Sequence, residues 1–496
     1  MRTTTHLING TSVHPENAQT IPVENPATGH AVAEVPLATQ TEVDQAVGAA
    51  LEAFTSWRTM SLARRTQILF RYRELLNARK DELAALITEE HGKVHSDALG
   101  EIQRGLEIVE FACGIPHLLK GEQTKNASTA VDVHSARHPL GPVAVITPFN
   151  FPAMVPMWFV PIAVATGNTV VIKPSEKDPS AVNWQVELWK EAGLPDGVAN
   201  VLHGDKTAVD GLLTHPDIQA VSFVGSTPVA RYVYETGTAA GKRVQALGGA
   251  KNHMVVLPDA DLDRAADSAV SAGYGSAGER CMAISVVVAV GEIAEPLVEK
   301  IAERTRGLKL SSTSGEPDLG PLISRDRRDK VRGYVDGAEG EGAMVVVDGR
   351  EWSESDQPEA AFLGPTLLDH VTADMRAYQA EIFGPVLCVV RADSYDQGLE
   401  LINANPYGNG TAIFTRDGAA ARRFEMDVTA GMIGINVPIP VPMAYYSFGG
   451  WKNSLFGDTH AHGAEGVHFF TRGKVVTTRW GDPAEGGLEL GFPQSS

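Results

Sequence analysis

The sequence predicts an α/β protein whose parallel sheet is covered by helices on both faces, and three observations support this. Strand-like and helix-like apolar runs alternate from residue 142 to residue 247. A mainly apolar run follows Cys281, and a second region of helices and strands extends to residue 414. The chain of 496 residues is too long for one simple core, so we expect two or three structural units.

The amino-terminal part of the chain is predicted to be mainly helical. Residues 42–57, 61–90 and 96–113 carry apolar side chains at helical spacing. The polar, Thr- and Val-rich stretch 121–137 alternates in a way that suits an exposed hairpin or arm.

The central alternation is regular enough to assign each segment. The predicted strands are 142–147, 169–173, 198–203, 220–224 and 243–247, and the predicted helices are 153–166, 181–192, 208–213 and 229–239. Strands that alternate with helices form parallel sheets, and such sheets bind their ligands beyond the carboxyl ends of the strands.

The second α/β region contains the cysteine. Its predicted strands are 282–290, 343–347, 386–390 and 411–414, and its predicted helices are 294–305 and 325–338. A last alternating strand, 474–479, needs a partner because an exposed lone strand invites aggregation. We expect it to pack against a neighbouring subunit or against the 121–137 arm.

Composition excludes several classes of function. A formal net charge of −19 disfavours nucleic acid and anionic membrane surfaces as partners. The scattered cysteines, Cys113, Cys281 and Cys388, favour a reducing cytoplasm, and residues 1–20 lack a signal-peptide pattern. The uncharged stretch 139–172 contains six prolines and two asparagines, which argues against a membrane span.

Cys281 is the candidate nucleophile. It lies where a glycine-bearing loop meets an apolar strand, directly after Arg280, and both positive charge and loop N–H groups favour a thiolate and an oxyanion. The alternative is that Cys281 is an inert core residue.

Two short segments could bind a nucleotide, although the usual G-x-G-x-x-G fingerprint is absent. Gly225, Ser226 and Thr227 end a strand and open a helix, whose N-terminus favours a phosphate; simple N-capping is the alternative. Lys173 and Glu176 follow another strand, where they could grip a ribose, and a carboxylate there favours NAD over NADP; a solvated loop is the alternative.

Asn150 is the candidate oxyanion donor. It ends an apolar strand within the proline-bounded segment TPFNFP, where an amide can donate to a developing negative charge. Taken alone, the segment is more typical of a turn asparagine.

Together these segments resemble the aldehyde dehydrogenase superfamily over nearly the whole chain. The resemblance is carried by TPFNFP, VIKPSEKDP, FVGST, ALGGAKNH, GERCMA and EIFGPVL, in this order and at these spacings. It implies a Rossmann-type NAD domain, an α/β catalytic domain and a β oligomerisation arm. The corresponding limits are 1–120 and 141–248, then 249–445, then 121–140 with 465–485.

The resemblance also implies roles for individual residues. Cys281 would be the nucleophile, with Asn150 and the Cys281 N–H as oxyanion donors. The residues implied to bind NAD are Thr147, Phe149, Lys173, Glu176, Lys177, Ser226, Gly248 and Glu381, with Glu381 on the nicotinamide ribose. No metal ligands are implied.

One departure from the family pattern concerns the general base. Hydrolytic members carry a glutamate before Leu-Gly-Gly, where this chain has Ala246. A methyl group cannot accept a proton, so a thiol such as coenzyme A, which ionises more readily than water, is expected to take the acyl group.

The chain looks most like the CoA-acylating methylmalonate-semialdehyde dehydrogenases. CMAIS, ALGGAKNH, the Pro-rich run NVPIPVP and GVHFFTRGKVVTTRW carry this resemblance. It implicates Arg104 and Arg280, whose guanidinium groups suit a substrate carboxylate; structural ion pairs are the alternative. Glu279 replaces the commoner glutamine and could partly substitute for the missing base.

The resemblance therefore implies NAD-dependent oxidative decarboxylation of methylmalonate or malonate semialdehyde to propionyl-CoA or acetyl-CoA. Coenzyme A is the expected co-substrate, and a homodimer or homotetramer is the expected assembly. A hydrolytic, NAD-dependent aldehyde dehydrogenase and a non-catalytic dinucleotide-binding protein are the alternatives. The metabolic setting, valine breakdown or inositol or β-alanine use, stays open.

Overall fold

The computed structural model describes residues 2–15, 18–310, 317–352 and 359–480. The α-helices are α1 (Gln40–Trp57), α2 (Leu62–Ala78), α3 (Lys80–His91), α4 (His95–Cys113), α5 (Met154–Thr166), α6 (Ser180–Glu191), α7 (Lys206–Thr214), α8 (Thr227–Ala239), α9 (Leu262–Tyr274), α10 (Ala294–Arg306), α11 (Arg325–Gly340), α12 (Arg376–Gln379), α13 (Tyr395–Ala404), α14 (Gly418–Asp427) and α15 (Gly463–Phe469). Within the described ranges, none of these is both long and apolar enough to cross a membrane.

The strands fall into two large sheets and three small ones. They are β1 (Arg2–Thr3), β2 (His6–Ile8), β3 (Thr11–Val13), β4 (Thr20–Asn25), β5 (His30–Pro36), β6 (Gln123–Ser128), β7 (Val131–Pro139), β8 (Pro142–Ile146), β9 (Thr169–Lys173), β10 (Ala199–Val201), β11 (Ala220–Val224), β12 (Arg243–Leu247), β13 (Asn252–Val256), β14 (Ile284–Val290), β15 (Met344–Val347), β16 (Thr366–Asp369), β17 (Val386–Ala392), β18 (Tyr407–Gly408), β19 (Gly410–Phe414), β20 (Met432–Ile435), β21 (Trp451–Lys452), β22 (Leu455–Phe456) and β23 (Thr471–Arg479).

The first large sheet has the order β22-β12-β11-β8-β9-β10-β2-β3. Its five central strands are parallel and correspond to the five predicted strands. From β8 the chain proceeds to β9 and β10 on one side, and returns to β11 and β12 on the other. The carboxyl ends of β8 and β11 therefore form a topological switch point, where doubly wound sheets open a binding crevice.

The second large sheet has the order β15-β16-β17-β14-β13-β19-β20 and is parallel apart from the β15–β16 pair. The link from β12 to β13 is short, residues 248–251, so the carboxyl edge of the first sheet faces the amino edge of the second. Cys281 precedes β14 and Glu381 precedes β17, so both lie at this amino edge. The site forms between the two edges.

The predicted arm is a three-stranded sheet of order β23-β7-β6. All nine residues of β23 pair antiparallel with β7, from Thr471 opposite Pro139 to Arg479 opposite Val131. The last strand thus pairs with the arm of its own chain, as one of the two expectations held. Val475 and Trp480 remain 67% and 77% exposed on this edge; residues 481–485 of the predicted arm lie outside the described residues.

Several limits shift from the predicted ones, and two of these differences have a clear physical cause. The run 61–90 is broken at Arg79, whose φ of −118° and ψ of 17° end α2 and let α3 pack on α4 and α6. The apolar spacing continues through this bend, so periodicity alone could not show it. The strand after the cysteine begins at Ile284 rather than at residue 282, because residues 281 and 282 form a turn.

Candidate active site

A cleft of about 460 Å³ lies between the two sheets at the switch point. Its lining brings together six of the predicted site residues, Phe149, Asn150, Ser226, Gly248, Cys281 and Glu381. These residues come from loops after β8, β11 and β12 and from the loops before β14 and β17. Cys281 and Glu381 also line a smaller cavity, together with Arg280.

Two asparagines hold the Cys281 backbone in place. The Asn252 side chain donates to the Cys281 carbonyl at 2.9 Å and to the Ala283 carbonyl at 2.9 Å, while Asn409 donates to the Cys281 carbonyl at 3.1 Å. Asn252 also accepts from the Gly410 N–H at 3.0 Å. The turn that carries the thiol is therefore tied to β13 and β19.

The surroundings of Cys281 keep its thiol protonated. The residue is half-buried, and burial followed by the nearby Glu381 carboxylate raises the pKa of the thiol to about 12. Backbone N–H groups and Arg280 act in the opposite direction. The thiol therefore needs a further change in its surroundings before it becomes a thiolate at neutral pH.

Asn150 is buried beside the nucleophile loop. Its side-chain amide donates to the Glu279 carbonyl at 3.0 Å. A primary amide has two N–H groups, so one donor can hold the loop while the second serves the cleft. The orientation is compatible with the predicted oxyanion role.

A buried ion pair supports the Asn150 loop. The Lys93 ammonium, fully buried, donates to Glu101 at 2.7 Å and to the Asn150 carbonyl at 2.6 Å, and lies 4.5 Å from the centre of the Phe151 ring. The second Glu101 oxygen accepts from the N–H groups of residues 153 and 154 at 2.7 and 3.0 Å. The ion pair therefore binds both ends of segment 150–154, which leads into α5.

Sequence reasoning missed this ion pair, although a signal was present. On α4, Glu101 occupies the same stripe as Ala98, Ile102 and Gly105, all of which are buried. A carboxylate within an apolar helical stripe is almost never buried without a partner. The sequence could have indicated a buried cation, but not which lysine.

The cofactor side of the cleft contains an open helix N-terminus. Ser226 precedes α8, and its side chain makes no capping hydrogen bond within the described structure. The N-capping alternative is therefore not seen. Thr227 instead accepts from the Gly249 N–H at 2.8 Å, which joins the two glycine-bearing loops.

The remaining predicted cofactor residues lie beside the cleft rather than in its lining. Lys173 pairs with Glu176 at 3.0 Å at the end of β9. Burial opposes ionisation of Glu176, but the Lys173 ammonium and further hydrogen bonds leave its pKa below the ordinary value. Thr147 is buried next to them, with an unpartnered Oγ1 among the described residues, and the Lys177 side chain is exposed.

Glu381 reaches across the cleft from the second sheet. It accepts from the Ala250 N–H at 2.8 Å, and its carboxylate packs against Gly249, where an added Cβ would approach it to 2.2 Å. Burial raises the pKa of Glu381, while the Ala250 N–H and the charges of Arg327 and Lys251 oppose that rise.

The two predicted substrate arginines each have a protein partner. Arg280 donates to Asp97 at 2.7 Å, and Arg104 donates to Glu107 at 2.8 Å and to the carbonyls of residues 441 and 442 at 3.4 and 3.2 Å. The structural ion pairs considered as the alternative are therefore present. A substrate carboxylate would have to share or replace these partners.

The surroundings of Glu279 and Ala246 show whether either residue could act as the general base that hydrolysis would need. The Glu279 carboxyl is fully buried, accepts from the Ile323 N–H at 3.2 Å and borders neither cavity beside Cys281. Burial raises its pKa to about 8 against the pull of Arg327. Ala246 is buried in β12, so among the described lining residues of both cavities the one carboxylate is Glu381.

Comparison with known proteins agrees with this architecture. The aldehyde dehydrogenase family model matches residues 13–476. The chain belongs to the aldehyde dehydrogenase family. The predictions of fold, family and enzymatic character are thereby confirmed.

Two relatives of this aldehyde dehydrogenase have names that state their substrate. The chain is 53% identical over 482 residues to a malonate-semialdehyde dehydrogenase of Pseudomonas aeruginosa, with 97% of each chain covered. It is 49% identical over 476 residues to one of Halalkalibacterium halodurans, with 96% of this chain and 98% of the relative covered.

Solved structures show the same similarity. A methylmalonate-semialdehyde dehydrogenase from Oceanimonas doudoroffii superposes with a TM-score of 0.96 at 52% identity. A Sinorhizobium meliloti member, crystallised with NAD, superposes with a TM-score of 0.96 at 48% identity. Both comparisons cover 98% of this chain and 99% of the other.

Proposed function

We propose that this protein is an NAD-dependent, CoA-acylating dehydrogenase of malonate semialdehyde or its 2-methyl homologue. The observation that carries the proposal is the chemistry around Cys281. The nucleophile and the amide of Asn150 border one cleft, while Ala246 stands where a hydrolytic base would be and Glu279 is turned onto Ile323. The names of the relatives support the choice of substrate.

The chain's own residues account for the first step. Cys281, as its thiolate, adds to the aldehyde carbon and places a negative charge on the carbonyl oxygen. The second N–H of Asn150 and the Cys281 N–H stabilise that oxygen; one such donor contributes about 3 kcal/mol. The two asparagines on the Cys281 carbonyl keep the turn in register for this attack.

The residues in and beside the cleft fit NAD. The uncapped N-terminus of α8 suits the pyrophosphate, and the Lys173–Glu176 pair and the unpartnered Thr147 Oγ1 offer groups for the adenosine end. Glu381 suits the nicotinamide ribose. NAD bound there supplies the hydride acceptor that converts the Cys281 adduct into a thioester.

The later steps require a thiol acceptor. Loss of the β-carboxylate as carbon dioxide leaves an enolate delocalised into the thioester, and its protonation gives acetyl- or propionyl-enzyme. Coenzyme A, as its thiolate, attacks the thioester carbon and releases the Cys281 thiolate. Thiolysis needs less assistance than hydrolysis, because a thiol ionises much more readily than water.

The arginines support recognition of a carboxylate-bearing substrate. Arg280 is adjacent to Cys281 and borders the small cavity beside it. We propose that Arg280 and Arg104 loosen their contacts with Asp97 and Glu107 to receive the substrate carboxylate. A guanidinium can hold two carboxylates, so the structural pair and the binding role are compatible.

We also propose that the protein is a cytoplasmic homodimer or homotetramer with the three units predicted above. The exposed edge of the β23-β7-β6 sheet supports self-association through the arm.

Product analysis tests the proposal. Enzyme, NAD and malonate semialdehyde are mixed with and without coenzyme A, while NADH, acetyl-CoA, carbon dioxide and free acid are measured. We expect sustained NADH formation only with coenzyme A, together with acetyl-CoA and carbon dioxide. Equal turnover without coenzyme A and a free-acid product would show that the enzyme is hydrolytic.

A further inference from the structure

The loop before Cys281 is held in an unusual backbone conformation. Three consecutive residues, Ser276, Ala277 and Gly278, are left-handed, with φ of 55°, 53° and 72°. All three are buried. Two of them carry side chains that disfavour this region, so surrounding packing must impose it.

The packing comes from a second strained turn. Gly278 lies against the backbone of Gly384, whose carbonyl oxygen would be 2.2 Å from an added Cβ. The preceding Phe383 also has a left-handed φ of 55°, a genuine outlier for an aromatic residue. Glu381 begins this turn, so the turn determines where the carboxylate stands relative to the thiol.

Helix α11 packs against that turn. Gly384 packs on Val331, which would be 2.6 Å from an added Cβ. Arg327, one turn earlier on α11, donates from Nε to the Phe383 carbonyl at 3.2 Å and from Nη2 to the carbonyls of Ile382 and Phe383. Its guanidinium also lies 5.5 Å from the centre of the Phe383 ring.

The positive charge of Arg327 interacts with two buried carboxyl groups in the same region. It is electrostatically paired with the buried carboxyls of Glu279 and Glu381, which precede Cys281 and line the cleft respectively. A planar fork can bind two successive carbonyls, whereas an ammonium cannot reproduce that geometry. The site therefore uses both the charge and the shape of this side chain.

We infer that Arg327 is a positioning residue that holds the strained 381–384 turn against the nucleophile loop and thereby fixes the Glu381 carboxylate beside Cys281. Its guanidinium also borders the cleft, but its described hydrogen bonds go to the carbonyls of the turn, and the proposed role acts through them. This inference deepens the proposed function and rests on Cys281 being its nucleophile. Removing Arg327 should let the turn relax, move Glu381 away from the thiol and weaken the cleft's grip on NAD.

Alkylation of Cys281 by iodoacetamide, followed by mass spectrometry of the modified peptide, provides a readout that needs neither substrate nor turnover. The rate is measured against pH for wild type, Arg327→Gln, Arg327→Lys and the control Arg332→Gln, an exposed residue of the same helix. For Arg327→Gln the midpoint should fall by roughly 0.5–1 pH unit, because a carboxylate that raises the thiol pKa has moved away.

Binding of NAD provides the second readout. The Kd for NAD, measured by calorimetry, should rise about tenfold in Arg327→Gln, and Arg327→Lys should restore it only in part because the fork is lost. Hydrogen exchange at residues 382–384 should accelerate in both variants while Arg332→Gln matches wild type.

An unchanged alkylation midpoint and unchanged Kd in a folded Arg327→Gln protein would overturn the inference. Full rescue by lysine would overturn the geometric part and leave charge alone. If Arg327→Gln lowers the thermal midpoint without moving its own alkylation profile, the role is structural only and the inference fails. Failure of the coenzyme A assay would instead overturn the proposed function and leave these outcomes intact.

Discussion

Replacing Lys93 by methionine should damage both stability and catalysis, by separable routes. Methionine keeps most of the length of the lysine stem but removes the ammonium that donates to Glu101 and to the Asn150 carbonyl. The pair is fully buried, and removing one partner of a buried pair costs about 3–5 kcal/mol because the other charge is stranded. The Asn150 carbonyl also loses its donor, which costs about 1–3 kcal/mol if it stays unsatisfied.

The double variant Lys93→Met, Glu101→Gln separates these routes. A neutral amide at Glu101 can still accept from the two N–H groups of α5, and no charge is stranded, so most of the lost free energy of unfolding should return. The Asn150 loop remains without its lysine donor. We therefore expect kcat to stay depressed, by up to about 100-fold if the oxyanion donor is displaced.

The assays are urea unfolding followed by circular dichroism and steady-state NADH formation. Lys120→Met, at an exposed lysine, is the control and should match wild type in both. Recovery of wild-type kcat in the double variant, or an unchanged free energy of unfolding in Lys93→Met, would refute the reasoning.

Three further predictions follow from the site and the core. Cys281→Ala should abolish NADH formation while leaving the thermal midpoint near that of wild type; substantial residual turnover would remove Cys281 as nucleophile. Glu279→Gln should keep CoA-dependent turnover within about threefold, because the buried carboxyl is not the base. Its stability relative to wild type should rise between about pH 4.5 and pH 8 and then level off, because burial raises the pKa of Glu279 from the ordinary 4.5 to about 8 and wild type loses stability across that range. A CoA-independent product that disappears in this variant would restore Glu279 as the base. Burial lowers the pKa of His6 to about 4 and of His253 to about 3, below the ordinary 6.5, so their stabilising contribution is present above pH 6.5 and is lost as pH falls toward those values, by up to about 1.4 kcal/mol per pH unit each. Thermal midpoints measured from pH 8 to pH 5 should fall accordingly, and His253→Gln should flatten that slope.

Much of the fold could be predicted from the local pattern of apolar residues in the sequence. The five parallel strands of the first sheet are short apolar runs separated by helical runs of ordinary length, and three of them, β9, β11 and β12, have the predicted limits. The bend at Arg79 could not be seen, since the apolar stripe continues through it and only packing on α4 and α6 decides where α3 turns.

Sequence could group some residues of the candidate site but not others, and the reason is physical. Residues that follow strands of the first sheet, such as Asn150 and Ser226, could be grouped because parallel strands end at one edge. Cys281 and Glu381 lie at the amino edge of the second sheet, and strand order alone does not bring that edge to the cleft. Cys281 was a candidate from its own loop, whereas the role of Glu381 came only from resemblance to a family, and the short link between β12 and β13 brings both to the cleft.

The sequence by itself determined the α/β class, the family and the candidate residues: Cys281 as the proposed nucleophile, the Asn150 amide as the proposed oxyanion donor, and Ala246 in place of a base. These are properties of residue type and order, which survive without coordinates. Tertiary structure alone decided the partners: Lys93 beneath Asn150, Arg327 behind Glu381, Ile323 on Glu279, and Asp97 on Arg280. Buried charges are stable only beside groups that compensate them, and those groups lie up to 183 residues away in the chain, a pairing that local pattern does not encode.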